Sequence, residues 1–565
     1  MTAITTSKHK VTAAKDFLEN LDDAAHTEAR NHYLFISRSR PWPNKPLGTP
    51  PTSDVAPPAP EDSVIHEMEA RESMIALKRL IRDNSSLVIP KFDWTSGTLY
   101  AQYDDRDPEL HLHPTPQDIS DANLGGYTAG PLYVLTSQFH VFKCLSNNNG
   151  SLSTVEPTLP GGAPWTITTS DGYVWKYMLT ISSSDVSKFL TDSWIPISKV
   201  GAPDVADNGT NQWDVENDAV DGAIDVIHID NAGDGYKFVQ EGKTAAGGGA
   251  SSMTLEAEAG ITDAVESVAG FVGCAIYIIS GTGAGQSPNR ITAYDNNTRL
   301  ATVENAWSII PDNTSIYEIW PTITISGNGS NATAKAIVNT TTQQLEEVII
   351  TNVGSGYRAA SIAIDGGLDT GGSHSTLHPA VSPLGGHGKD AECELDARYV
   401  MAFTKLDPNE PDFPISNDYR QIGILRNVID YGSTLLSTDT TRVAVKKLNL
   451  TGVTAGVGGL FQPDEDFTGI DGSNPDATAK VVDYIPGAVA GEGTLSFWQD
   501  RLTDFEDFVV GMTLTGSASG ATATVDSIED EEIEKYEGDL IYIENRRPIL
   551  RQPNLIEDIK IILEF

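Results

Sequence analysis

The sequence predicts a β-rich α+β protein: a discontinuous mixed α/β host domain with inserted modules of β-sandwich or β-barrel type. Three observations carry that expectation. At the end of the chain Ile559, Ile561, Leu563 and Phe565 recur every second residue, with Asp558, Lys560 and Glu564 between them. That alternation describes a strand with one buried face. From Ala202 to about Cys393 the composition turns to Gly, Ala, Thr and Asp, and helical spacing all but disappears. Within that stretch an octapeptide recurs: Ile229–Tyr236 (IDNAGDGY) matches Ile350–Tyr357 (ITNVGSGY). Asn and the two glycines of each copy suit a tight turn needing positive φ, over which the Tyr packs.

Taken in order, Val11–Arg30 has helical spacing and leads into the apolar strand Tyr33–Ser37. Eight prolines in the twenty residues Pro41–Pro60 describe an extended strap rather than a packed element. Asp62 or Ser63 is placed to cap a helix over Val64–Arg82, whose buried face would be Ile65, Met68, Ile75, Leu77 and Leu80. Strands are expected at Leu87–Trp94, Gly97–Tyr103, Gly130–Cys144 and Asp171–Ile181, with at most a short helix at Val186–Leu190. A second pattern alternates small residues at Gly329–Ala336, Pro475–Val481 and Gly520–Val525, as in strands closely covered by another sheet. The last two strands are expected to meet at a basic turn holding Arg546 and Arg547. The resulting division is host domain over 1–200, inserted β modules over 201–394, host again over 395–447, a second β insertion over 448–526, and closing strands over 527–565.

With 565 residues the chain exceeds one hydrophobic core and should form roughly three or four domains. Its 78 acidic against 38 basic residues give a formal charge of −40, which argues against direct nucleic-acid binding and suits either a solvated surface or basic partners. No apolar run is long enough for a membrane span, and the first residues lack the apolar core of a secretory signal. Cys144, Cys274 and Cys393 are odd in number and far apart, which reads as buried thiols rather than a disulfide framework.

Chemical motifs are weak. Gly281–Gly285 (GTGAG) lacks dinucleotide-loop spacing and is followed by a strand pattern, and Gly516–Gly520 has Ala where a nucleophile elbow needs Ser. His111 and His113, with Asp104, Asp105 and Asp107 upstream, are the best metal candidates; Asp464, Asp466 and Asp471 have the chemistry for calcium without EF-hand spacing. No catalytic residue, metal ligand or cofactor is assigned, and the chain is not expected to be an enzyme. Arg38, Arg40, Trp42, Arg546 and Arg547 stand out instead as candidate protein–protein contacts, because Arg and Trp are over-represented among interface anchors.

Several segments carry a resemblance. Tyr33–Arg38 (YLFISR) with Pro41–Asn44 (PWPN) is similar to the N-terminal signature of baseplate wedge subunits of T-even-like contractile-tailed phages. His140–Asn149, Asp171–Ile181 with Phe189–Ile197, Asn417–Asn427 and Gly538–Phe565 resemble the same family, in the family's order, over about half the chain. The family is shorter, so 202–393 and 448–526 look like insertions; Leu255–Pro321 is similar to β modules of phage tail proteins. The resemblance implies a non-enzymatic virion component that dimerises within each wedge and binds other wedge proteins. A second reading is a receptor- or glycan-binding tail protein, with Trp213, Tyr236, Trp307, Tyr317, Trp320 and Tyr357 on the inserts as sugar-stacking candidates if exposed; packing of these aromatics in the insert cores is the favoured expectation. A third, a tail-associated glycosidase, has no motif behind it.

Overall fold

The computed structural model describes residues 4–21, 30–44, 52–106, 131–200, 211–256, 270–408, 410, 412–503 and 505–565. Strand accounts for 46% and helix for 9%, so the protein is β-rich α+β. The chain forms two compact units, Met1–Val88 with Ala397–Phe565 and Ile89–Asp396. The first break therefore falls well before the change of composition near Gly201.

In the discontinuous unit the central sheet is antiparallel, in the order Thr441–Val443, Met74–Arg79, His32–Ser37, Asp418–Arg426, Asp539–Leu550. Tyr33, Phe35, Met74, Leu77 and Leu425 are buried beside Ala70 and Ile533. A second antiparallel set runs Glu557–Glu564, Tyr399–Leu406, Ser85–Pro90. Lys446–Thr454, Gly493–Trp498, Ala477–Pro486, Asp466–Ile470, Thr513–Gly516 and Thr522–Glu529 close into a six-stranded barrel. Its core explains the alternating small residues: Ala477, Ala479, Val481, Ala521, Ala523 and Val525 all point inward and are buried.

Two expectations in this unit need correction. The helix ends at Glu72, and Met74–Arg79 is a strand. Ile75, Leu77 and Leu80 fit both periods, and pairing with His32–Ser37 on one side and Thr441–Val443 on the other decides for strand. Ser63 is the N-cap residue, but its hydroxyl lies 2.7 Å from His66 Nδ1 rather than on a backbone N–H. Arg71, at the end of that helix, is buried with all its guanidinium nitrogens used: Nε and Nη2 on Glu67, Nη1 and Nη2 on the carbonyls of Lys535, Glu537 and Gly538. The last two strands, moreover, are not a hairpin. Asp539–Leu550 pairs with Asp418–Arg426 while Glu557–Glu564 pairs with Tyr399–Leu406, so Arg546 and Arg547 lie inside a strand. Tyr419 and Gln421 face Ile549 and Asn545, a register shift that bulges the strand where a turn was expected. The terminal alternation itself holds, with Ile559 and Ile561 buried and the Phe565 ring 5.4 Å from that of Phe17.

In the unit Ile89–Asp396 one sheet runs Tyr133–Leu135, His140–Ser146, Val174–Thr180, Thr166–Thr168. It buries Phe142, Cys144, Trp175 and Tyr177. A ten-stranded sheet is built largely from strands between Gln240 and Asp365. No strand forms over Gly97–Tyr103. The two octapeptides fold alike. Asn231 Oδ1 accepts the Gly233 N–H at 2.8 Å and Asn352 Oδ1 the Gly354 N–H at 2.9 Å. The paired glycines have φ of 65° and 77° in one copy and 64° and 75° in the other. Tyr236 and Tyr357 are both buried behind their turns.

Candidate interaction surface

Four of the five candidate contact residues meet in the discontinuous unit. The strand His32–Ser37 ends at Arg38, which has φ 59°, and the chain then enters the Pro-rich strap. The Arg38 guanidinium lies 4.0 Å from the Trp42 ring centroid, a cation–π contact. Trp42 is buried; its backbone N–H donates to Asp54 Oδ1 at 2.7 Å and its indole N–H to the Arg546 carbonyl at 2.8 Å. Arg546 is itself held by Glu544 through two hydrogen bonds of 2.7 and 3.1 Å. Arg40 pairs with Asp500 at 3.0 Å and lies over Trp498. Arg547 is exposed on the same strand as Arg546 and has no ion-pair partner among the described residues.

Arg420, which sequence reasoning missed, organises this junction. It is buried, its Nε and Nη2 donate to Asp54 at 3.0 and 3.1 Å, and Nη1 donates to Asp418 and to the Ser39 carbonyl. Burial works against the Asp54 carboxylate, but the Arg420 guanidinium and the Trp42 N–H hold its pKa below the usual range. Burial alone dominates at Asp464, whose pKa is raised, and at Arg38, whose pKa falls to about 10. The signal for Arg420 was within reach: an Arg between Tyr419 and Gln421, two residues after Asp418, leading into the apolar run Ile422–Leu425.

The other unit holds a buried ionic trio. Lys143 Nζ is 3.0 Å from Glu394 Oε2 and 3.2 Å from His387 Nδ1, with all three side chains almost fully covered. Glu394 Oε1 also accepts the Gly388 N–H at 2.8 Å. Burial opposes the charge on Glu394, but Lys143 and His387 outweigh it and hold its pKa at about 2. The Tyr103 ring sits 4.4 Å from Lys143 Nζ. Lys143 is more than two hundred positions from His387 and Glu394, and the trio carried no sequence signal.

The metal candidates do not assemble. His111, His113 and Asp107 lie outside the described residues. Asp104 binds Arg106 and His378, and Asp105 accepts the Val381 N–H. Asp466 pairs with Lys480, while Asp471 caps its own turn at Ser473 and Asn474. Among the described residues no group of three or more His, Cys, Asp or Glu side chains is placed to hold a metal ion. Of the aromatic residues weighed as sugar platforms, Tyr236, Trp307, Tyr317, Trp320 and Tyr357 are buried in the cores of the inserts, the packing favoured from the sequence, and Trp213 is partly exposed. Cys144 and Cys274 are buried free thiols, their pKa values raised by burial. Among the described residues no helix is long and apolar enough to cross a membrane. No protein-family description matches the chain, and no curated protein matches it in sequence.

Proposed function

We propose that the chain is a structural component of a contractile phage tail baseplate wedge. It holds neighbouring wedge proteins together and moves as a rigid body when the tail is triggered. The observation that carries this reading is the pairing of the segments that resemble the wedge family. Tyr33–Arg38 and Asn417–Asn427 contribute adjacent strands, joined residue for residue from His32↔Arg426 to Ser37↔Gln421. The latter strand pairs in turn with Asp539–Leu550 of the C-terminal segment. In the other unit, strands from His140–Asn149 and Asp171–Ile181 pair with each other. A likeness scattered over the sequence thus belongs to paired strands of a framework, as expected if the family's framework is retained and the remainder is insertion.

The mechanism is mechanical. Interfaces of roughly 2,000 Å² or more hold such subunits in place, and triggering exchanges those contacts between rigid bodies. The partners are other wedge proteins and a second copy of this chain, in a virion assembled in the host cytoplasm. Cryo-EM of isolated tails tests this: six or twelve copies in a ring within the baseplate body are expected, whereas copies found only at fibre tips would refute it and favour receptor binding.

A further inference from the structure

We propose that the Arg38 guanidinium, stacked on Trp42, is the docking point for an aspartate or glutamate side chain of a partner protein. The inference rests on the reading of this chain as an assembly component and names what one of its contacts binds.

The first argument is a contrast. The arginines around Arg38 each hold a carboxylate: Arg40 has Asp500, Arg420 has Asp54, Arg501 has Glu69 and Arg546 has Glu544. Acidic residues outnumber basic ones 78 to 38 in this chain, yet the Arg38 side chain makes no hydrogen bond or ion pair among the described residues; Glu69 and Asp500, held by Arg501 and Arg40, act on it only through their charge. Its Nε is covered by protein and has no hydrogen-bond partner. The residue is partly exposed and its terminal nitrogens make no hydrogen bond among the described residues, so these are the donors it can offer to a partner.

The second argument is preorganisation. Arg38 sits in the left-handed region at φ 59°, a conformation costly for any residue but glycine. Its N–H donates to the Ser73 carbonyl at 3.1 Å and its carbonyl accepts the Arg420 N–H at 3.0 Å, so the backbone is pinned on both sides. Trp42, itself fixed by Asp54 and by the Arg546 carbonyl, covers one face of the guanidinium plane. What remains is a rigid, edge-on fork, the geometry that recognises a carboxylate through two parallel hydrogen bonds. Partial burial leaves the group charged at neutral pH, since its pKa falls only to about 10. A half-desolvated arginine on a fixed tryptophan is the kind of anchor at which interface energy concentrates.

The test places a photo-reactive benzophenone side chain at Asn44, exposed two residues beyond Trp42, in the full chain during phage assembly. Cross-linked peptides are then sequenced by mass spectrometry. We expect adducts to a different polypeptide with Asp or Glu next to the attachment point. Arg38→Gln should lower their yield about ten- to hundred-fold, with partial recovery in Arg38→Lys. Lys8→Gln, which removes an equal charge from an exposed helical position outside the candidate contacts, should leave the yield unchanged. Thermal melts of each variant separate loss of docking from loss of folding. Unchanged yield in a folded Arg38→Gln chain, or adducts within this chain alone, overturns the proposal. If inorganic phosphate raises the melting midpoint of the unsubstituted chain but not of Arg38→Gln, and no foreign adduct forms, the site takes a free anion and the proposal also fails. The two readings fail separately. A foreign acidic adduct from a protein outside the baseplate refutes the wedge assignment and keeps the docking site, while an Arg38-independent adduct within the baseplate does the reverse.

Discussion

Replacing Glu394 with glutamine should destabilise the unit Ile89–Asp396 out of proportion to the single atom changed. Glu394 Oε2 lies 3.0 Å from Lys143 Nζ and 3.6 Å from His387 Nδ1, and Oε1 accepts the Gly388 N–H at 2.8 Å. Glutamine preserves volume and can keep its carbonyl oxygen on Gly388. Its amide N–H groups would then face the Lys143 ammonium, leaving a buried cation without a counter-charge. Breaking a buried pair in this way costs about 3–5 kcal/mol. For a unit spanning Ile89–Asp396 each kcal/mol moves the melting midpoint by roughly 1–2 °C, so a fall on the order of 5 °C is expected. Differential scanning calorimetry of the full chain measures it, with the exposed Glu304→Gln as control. A midpoint for Glu394→Gln within a degree of the control would refute the argument that this trio is a desolvated ion cluster.

Other outcomes follow from the same reasoning. Ile561→Ala should cost about 2–5 kcal/mol in denaturant titrations because it empties a buried site in the terminal strand, and a chain lacking Ile559–Phe565 should fail to fold in soluble form. Gly354→Ala puts a Cβ 2.6 Å from the Ala332 nitrogen and the Ser330 oxygen at φ 64°, so it should cost more than the equally left-handed but open Gly242→Ala, at φ 62°; equal melting midpoints would contradict this. The neighbouring pair His228 and His378, with ring centroids 4.8 Å apart, should respond to pH in opposite directions. Burial, then the neighbouring His378, lowers His228 from 6.5 to about 4, so its contribution is lost as pH falls through that window. For His378, burial is outweighed by Asp104 and Asp230, against the nearby Arg106, and its pKa is raised. Its contribution is complete below 6.5 and is lost as pH rises through the folded value. His228→Gln should remove the acid-side loss and His378→Asn the alkaline one, read from denaturation midpoints between pH 4 and 8.

What was legible in the sequence followed local periodicity. Ile559 and Ile561 alternate because one face of the last strand is buried. Ala477, Ala479 and Ala523 are small because the barrel interior leaves room for little more. The octapeptide turns were readable because only Gly takes those φ values cheaply and Asn supplies the side-chain acceptor. Tertiary pairing hid the rest. Ile75 and Leu77 satisfied a helical face as well as a strand, and only the neighbouring strands decide between them. Arg546 and Arg547 looked like turn residues because a basic pair before Pro548 interrupts the apolar pattern, whereas a bulge accommodates them. The Lys143–His387–Glu394 trio and the Arg420 junction join residues hundreds of positions apart, which no local pattern announces.

The barrel has a consequence of its own. Its first and last strands are neighbours, with Lys447 opposite Glu529, so the polypeptide enters and leaves at adjacent points. Every strand edge is consumed in the ring, leaving no ladder for a foreign chain to extend. Such a module behaves as a cassette: it can be exchanged or replaced by a short linker without rethreading the sheet that carries it. What a replacement must still supply is polar seating, the bonds from Asn417 to the Val482 carbonyl and from Arg40 to Asp500. Variation between related chains should therefore concentrate in the cassette and spare those seats.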